Sequence, residues 1–470
     1  MCLMGGLGDA PTHAVHLERS TMAKPTTCII GAGISGLTAG KMLTDYDIPY
    51  ECFESSDRIG GNWAFGNPNG HSSAYRSLHI DTSKHRLSFK DYPMPEELPD
   101  FPHHTDIKRY LDDYASAFSL LDRIQFENGV EHAEHLPGGG WEVSTQDGET
   151  RRFDFLAVAN GHHWDPRLPD FPGEFTGESI HSHAYIDPET PLHLRDKRIL
   201  IVGLGNSAAD LAVELSQRAQ RNKVTISTRS GAWIVPKYAF GVPADTLIQT
   251  IPQIPLSWQR RMGRRGPIFL SGRPESFGLP KPDHHFGEAH PTQSQELLVR
   301  FGSGDLDAKP NIERLDGETV HFVDGTSRDF DVIIYATGYN ITFPFFDQDF
   351  LSAPGNDFPL YKRMFKPGMD DLAFVGFAQS APTLFPFVEC QSRTLAAYLA
   401  GNYRPPAEAE MHRVIKADEE RFVGHFNNRP RHTQQVDYYI YEHEMRTKEL
   451  PAGLARVQRE GAVRFAAVPA

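Results

Sequence analysis

The chain has 470 residues, 39% of them hydrophobic and 11% aromatic, which is too long for one simple core and rich enough for two or three domains. A formal net charge of −14 excludes a general affinity for nucleic acid. No run approaches the ~20 apolar residues of a spanning helix. The four cysteines, Cys2, Cys28, Cys52 and Cys390, show neither C-x-x-C nor zinc-like spacing.

Residues 1–24 lack the charged start and apolar stretch of a signal peptide and read as a flexible extension. T-T-C-I-I-G-A-G-I-S-G-L-T-A-G-K-M-L, from Thr26, then reads as strand, tight turn and helix, and P-Y-E-C-F-E as a second strand ending at Glu54. Pro-rich loops follow near 91–99 and 165–173, the second placed as a domain linker. K-R-I-L-I-V-G-L-G-N-S-A-A-D-L-A-V-E-L repeats the first plan, with K-V-T-I-S-T-R-S-G as its second strand. The basic cluster Ser257 to Arg265 reads as a solvated helix face. The strand F-D-V-I-I-Y-A-T-G-Y (330–339) is a near-copy of F-D-F-L-A-V-A-N-G (153–161). Two such strands at the edges of the middle segment predict an α/β fold of two Rossmann-like dinucleotide-binding domains, one inserted into the other. The outer domain takes 25–170 and 326–450, the inner one 171–325, and 451–470 is a tail.

Gly31, Gly33 and Gly36 make G-x-G-x-x-G between a strand and a helix. The first glycine permits the turn, the second lets a pyrophosphate approach the backbone, and the third lets helix and strand pack closely. The helix N-terminus offers free N–H groups to the phosphates, and Glu54 is positioned for ribose hydroxyls. In the second loop, G-x-G-x-x-A at Gly203, Gly205 and Ala208, the following strand ends Ser227-Thr228-Arg229 with no acid. An acid would repel a 2′-phosphate, whereas hydroxyls and a guanidinium would bind it. The second site is therefore assigned NADPH and the first FAD, since a retained flavin accepts hydride from a nicotinamide. The pairs His103-His104, His162-His163 and His284-His285 do not predict a metal, because adjacent histidines on an extended segment face opposite ways.

These residues resemble the flavin-containing monooxygenases, the class B flavoproteins that include Baeyer–Villiger enzymes. The similarity runs from about residue 25 to 450. It includes E-S-S-D-R-I-G-G-N-W (Glu54 to Trp63), Y-R-S-L-H-I-D-T-S-K, G-L-G-N-S-A-A-D, Y-A-T-G-Y, and the fingerprint F-x-G-x-x-x-H-x-x-x-Y/F at Phe175, Gly177, His181 and Tyr185. The Baeyer–Villiger version has Trp and then Pro or Asp where this chain has Tyr185-Ile186, which favours the heteroatom-oxygenating branch.

The resemblance implies that NADPH reduces FAD, that a C4a-hydroperoxyflavin forms with O₂, and that a small-molecule amine or sulfide takes one oxygen atom. Alternatives are Baeyer–Villiger oxidation of ketones and an uncoupled NADPH oxidase; a disulfide reductase would need a redox cysteine pair that this chain lacks. The resemblance adds Arg58, Gly61, Asn62, Trp63, Asn206, Ser207, Thr337 and Gly338 as cofactor-binding residues. It makes His79, Asp81 and Gln379 candidates beside the flavin. Where the family has Asn, this chain has Asp81, which accepts hydrogen bonds but donates only if burial keeps it protonated. His181, between the two loops, is expected to organise the hinge rather than react. The resemblance also implies a homodimer, and a cytoplasmic enzyme with no membrane or nucleic-acid partner completes the expectation.

Overall fold

The computed structural model describes residues 24–247, 249–263, 265–422 and 434–466. The predicted N-terminal extension lies outside the described residues, apart from Lys24. Two five-stranded parallel sheets organise the rest. In the first, the strands run in the order Leu372–Phe374, Phe155–Val158, Thr27–Ile30, Tyr50–Phe53, Ile124–Gln125. In the second, the order is Glu178–His181, Val332–Tyr335, Arg198–Val202, Lys223–Ser227, Leu306–Lys309. In the first sheet the central strands T-C-I-I and F-L-A-V are buried at every position, and in the second R-I-L-I-V and V-I-I-Y at all but one. Unbroken apolar runs of this kind are what a parallel sheet covered on both faces requires.

Register sets the position of everything that follows. Ile30 pairs with both Phe53 and Val158, so Gly31, Glu54 and Ala159 leave the first sheet at one edge. Val202 pairs with both Ser227 and Tyr335, so Gly203, Thr228 and Ala336 leave the second sheet in the same way. Both carboxyl edges open onto one cleft, the position at which doubly wound sheets bind ligands. The helix Ile34–Asp45 packs against Phe385–Leu399, with Ser392 and Thr38 hydroxyls 3.1 Å apart in the buried seam.

Two expectations about chain organisation are corrected. The strand 332–335 was placed in the returning part of the outer domain, but it pairs with 178–181 and 199–202 in the second sheet. The return to the first sheet comes at Leu372–Phe374. Residues 451–460, expected to be a tail, continue a helix through Glu460, whose Gly453 packs so closely on Tyr403 that a Cβ there would lie 2.1 Å from the ring. The outgoing and returning crossings form an antiparallel ribbon, Asp165-Pro166 against Tyr339-Asn340.

The fingerprint residues support this crossing. Gly177 admits no side chain, since a Cβ would lie 2.6 Å from the Phe175 ring and 2.7 Å from the Asp331 carbonyl oxygen. His181 ends an edge strand with its ring edge-on to Tyr339. Buried Tyr185 donates to Glu214 at 2.9 Å.

Candidate active site

A single cleft of about 1290 Å³ runs from the first loop to the second, above the ~300–1,000 Å³ of a site for one small molecule. At one end, Gly31 (φ +96°) sits against the Ala159 carbonyl, and Gly33 has ordinary extended backbone. A Cβ on Gly36 would lie 1.8 Å from the Gly31 carbonyl oxygen, so that position holds the helix against the turn. The Glu54 carboxylate accepts from the Ala32 N–H at 2.7 Å and the Ser56 N–H at 2.9 Å. Burial raises its pKa despite those bonds. Gly61, Asn62 and Trp63 form a single turn beside Gly33 and line the cleft. Asn62 is fixed by accepting from both the N–H and the hydroxyl of Ser73. These features, a phosphate-width approach at a helix N-terminus and a buried acid at the next strand end, fit an adenine dinucleotide.

At the other end, Gly203 (φ +128°) admits no Cβ, which would lie 2.4 Å from the Ala336 carbonyl oxygen. Gly205, Asn206 and Ser207 open the helix Asn206–Leu215 onto the cleft. Ser227, Thr228 and Arg229 line it too, but the hydroxyls of Ser227 and Thr228 donate to the Pro310 and Ser230 carbonyls, both at 2.7 Å. Their donor protons serve the turn. Arg229 is exposed, and no carboxylate pairs with it among the described residues. A second guanidinium faces the same space. Arg167, from the crossing ribbon, donates to the Thr337 carbonyl at 2.8 Å, while the Thr337 hydroxyl donates to the Arg167 carbonyl at 2.5 Å. Burial, and then the charge of Arg229, lower the Arg167 pKa. Two cations that repel across a cleft mark a place for an anion.

Asp81 lines the cleft beside the second loop. Its carboxylate is 3.4 Å from the Lys237 ammonium and hydrogen bonds to the Asn206 side chain. Burial and the nearby Asp210 raise its pKa to about 7, against the pull of Lys237. Asp210 accepts from the Tyr75 hydroxyl, and Lys237 donates to the Ile80 carbonyl at 3.0 Å. Gln379 lines the cleft nearby, its N–H bonded to the Gln434 carbonyl at 2.8 Å. His162 lies half-buried beside His163, and desolvation, then the charge of that neighbour, hold its pKa well below the ordinary value.

Two candidate residues fall outside this arrangement. His79 is exposed, bonded to the Ser77 carbonyl at 3.0 Å and turned toward His103, while its neighbours Leu78 and Ile80 face the cleft. Arg58 pairs at the surface with Asp57 through two bonds and does not line the cleft. Conversely, Arg167, Lys237, Asp210 and Tyr75 were missed. Arg167 and Lys237 come from a proline-rich linker and a hairpin segment that carry no motif, whereas Tyr75 and Asp210 lie inside the stretches Y-R-S-L-H-I-D-T-S-K and G-L-G-N-S-A-A-D, where nothing local singles them out. Among the described residues, no group of three or more His, Cys, Asp or Glu is placed to hold a metal. Among the described residues, no helix is long and apolar enough to cross a membrane.

The family model for flavin-binding monooxygenase-like proteins matches residues 24–450. The chain belongs to this family. It is 36% identical over 439 residues to flavin-containing monooxygenase 5 of Rattus norvegicus, covering 89% of this chain and 81% of that one. Dimethylaniline monooxygenase [N-oxide-forming] 2 of the same species is 35% identical over 445 residues, with the same two coverages. Among solved structures, S-allyl-L-cysteine S-oxygenase from Allium sativum superposes with a TM-score of 0.68 at 24% identity, covering 92% of this chain and 89% of that one. This flavin monooxygenase is thus an oxidoreductase that uses FAD and NADPH.

Two buried histidines of this monooxygenase give its stability a pH signature. Burial, with His103 beside one and His183 beside the other, lowers His104 and His181 to about 4. Unfolded, each titrates near ~6.5. The folded state thus binds fewer protons between those values, and stability that is complete above pH ~6.5 is lost as pH falls toward ~4. The expected loss is roughly 3 kcal/mol per group, at about 1.4 kcal/mol per pKa unit. Thermal melts across that window check it. His104→Gln is expected to flatten part of the decline, and an identical slope in the variant would refute the assignment.

Proposed function

We propose that this enzyme transfers one oxygen atom of O₂ to the nitrogen of an amine or the sulfur of a sulfide, with FAD held at Gly31–Gly36 and Glu54 and NADPH at Gly203–Ser207 and Arg229. The flavin, once reduced by NADPH, supplies the activation of O₂. The protein's part is to position the two cofactors, exclude water and control one proton. The observation that carries the reading is Asp81, a carboxyl lining the cleft between Lys237 and Asn206, with its pKa raised to about 7. In its neutral form it donates a hydrogen bond, as an Asn at that position would. Transfer to a neutral soft nucleophile requires that proton to stay in the site. The N-oxide-forming name of a 35% identical relative and the Tyr185-Ile186 departure point the same way.

Baeyer–Villiger oxidation of a ketone is the second reading, favoured by Lys237. An ionised Asp81 paired with an ammonium 3.4 Å away suits attack by an anion rather than by a neutral species. A panel of a tertiary amine, a thioether and a cyclic ketone separates the two. N-oxide and sulfoxide in near one-to-one yield with NADPH consumed are expected. Ester or lactone as the sole product would replace the first reading with the second, and hydrogen peroxide alone would remove both.

Asp81 also predicts a pH dependence of coupling. With a pKa of about 7, its neutral fraction falls from about nine-tenths at pH ~6 to about one-tenth at pH ~8. The ratio of oxygenated product to peroxide is expected to fall several-fold over that range. Asp81→Asn, which donates at every pH, is expected to hold the ratio constant. A wild-type ratio independent of pH would count against the role.

A further inference from the structure

The helix Asn206–Leu215, which opens at the second loop, carries a polar stripe. Asn206, Asp210 and Glu214 are one turn apart and share a face. That face lies against residues 75–81 of the outer domain, the segment that ends in the cleft carboxyl Asp81. Glu214 accepts from the Ser77 hydroxyl at 2.9 Å, Asp210 accepts from the Tyr75 hydroxyl, and the Asn206 side chain bonds to Asp81. Asn206 is fixed from behind. Its side-chain oxygen accepts from the Gln293 N–H at 2.9 Å, which leaves its amide N–H₂ to donate to the Asp81 carboxylate. Asn206 also begins the helix, and the residues of that first turn line the cleft with N–H groups that have no partner inside the helix. One asparagine thus stands between the place for a nucleotide phosphate and Asp81.

The charges around Asp81 are finely balanced. From the helix, Asp210 faces it, and Glu214 adds its own negative charge to Asp210. Against them stand Lys237 on the hairpin segment, 3.4 Å from Asp81, and His79 on Asp81's own segment, which acts on Asp210. The Tyr75 phenol adds a hydrogen bond to Asp210 and no charge. A nucleotide phosphate at the helix end brings further negative charge to the far side of Asn206. A carboxyl among anions holds its proton more tightly. By reciprocity, an anion that tightens the hold on a proton is itself bound more tightly when that proton is present.

We propose that nucleotide binding at the second loop and protonation of Asp81 are linked through Asn206, so that NADP⁺ takes up a proton as it binds, with Asp210 as the positioning residue that sets the pH range of the exchange. The proposal rests on the placement of NADPH at Gly203–Ser207 and Arg229, and not on which substrate is oxidised. Its test is titration calorimetry of the flavin-loaded protein with NADP⁺, in buffers of equal pH and different ionisation enthalpy, which counts the protons exchanged. A rise of about one pKa unit on binding, from about 7 in the free protein, takes the neutral fraction at pH ~7.5 from about a quarter to about three quarters. Uptake of about half a proton is expected there, and NADP⁺ affinity is expected to fall about fivefold from pH ~7 to pH ~9. Asp81→Asn is expected to abolish the uptake and flatten the affinity; it is also the reference for titration of the nucleotide's own 2′-phosphate near pH ~6. Asp210→Asn is expected to move the uptake to lower pH. Binding by the wild type without proton exchange overturns the link, as does equal uptake in wild type and Asp81→Asn. An unmoved pH range in Asp210→Asn overturns the role of Asp210. Arg229→Ala keeps the placement apart from the link: unchanged NADP⁺ affinity in that variant refutes the placement, and weakened affinity beside a wild type that exchanges no proton refutes the link alone.

Discussion

Gly33→Ala is expected to yield a folded but colourless protein. Gly33 has φ −73° and ψ −171°, a conformation open to any residue. A Cβ there would meet nothing closer than the Gly61 Cα at 3.7 Å. Nothing within the protein therefore requires a glycine at this position; only the approach of a pyrophosphate does. Flavin affinity is expected to fall about a hundredfold, roughly 2.7 kcal/mol, with little change in the melting temperature of the flavin-free protein. Gly36→Ala separates cause from consequence. Helix propensity alone would make it stabilising by about 1 kcal/mol, yet its Cβ would lie 1.8 Å from a backbone oxygen, so the flavin-free protein itself is expected to melt lower. Absorbance of the purified variants and their melting curves check both. A yellow Gly33→Ala protein would show that the loop does not carry the phosphate.

Arg229→Ala is expected to raise KM for NADPH by ten- to hundredfold while leaving KM for NADH and the maximal rate nearly unchanged. A charge-assisted hydrogen bond to a phosphate is worth about 1.5–3 kcal/mol, and the Ser227 and Thr228 hydroxyls have given their protons to backbone carbonyls. Discrimination between the two nucleotides thus falls on Arg229, with Arg167 across the cleft as the second cation. Steady-state kinetics with both nucleotides decide it. Equal losses with NADPH and NADH would move Arg229 to the pyrophosphate rather than the 2′-phosphate.

What could be read from the sequence was what the backbone dictates locally. A glycine triad between an apolar strand and a helix specifies a turn wherever it occurs, so both loops, and the acid or its absence at the next strand end, were legible. The end of a domain was less so. The strands at 155–158 and 332–335 look alike because both are buried in parallel sheets, and nothing local says which sheet each joins. His79 was misplaced for a related reason. Leu78 and Ile80 on either side of it line the cleft, as do Asp81 and Thr82 after the chain bends, which leaves His79 on the outer face. Lys237 and Arg167 reach the site from segments whose direction is set by tertiary packing, 156 residues beyond Asp81 in one case (237 against 81). A lone lysine after W-I-V-P gives no local sign of its partner.

The central claim is that the two loops hold two cofactors in one cleft, close enough for hydride to pass between them. Anaerobic mixing of the purified protein with NADPH tests it most directly. The expected result is a yellow protein whose flavin absorbance bleaches in proportion to the NADPH added, and far more slowly with NADH. A flavin-containing protein that NADPH leaves oxidised would contradict it.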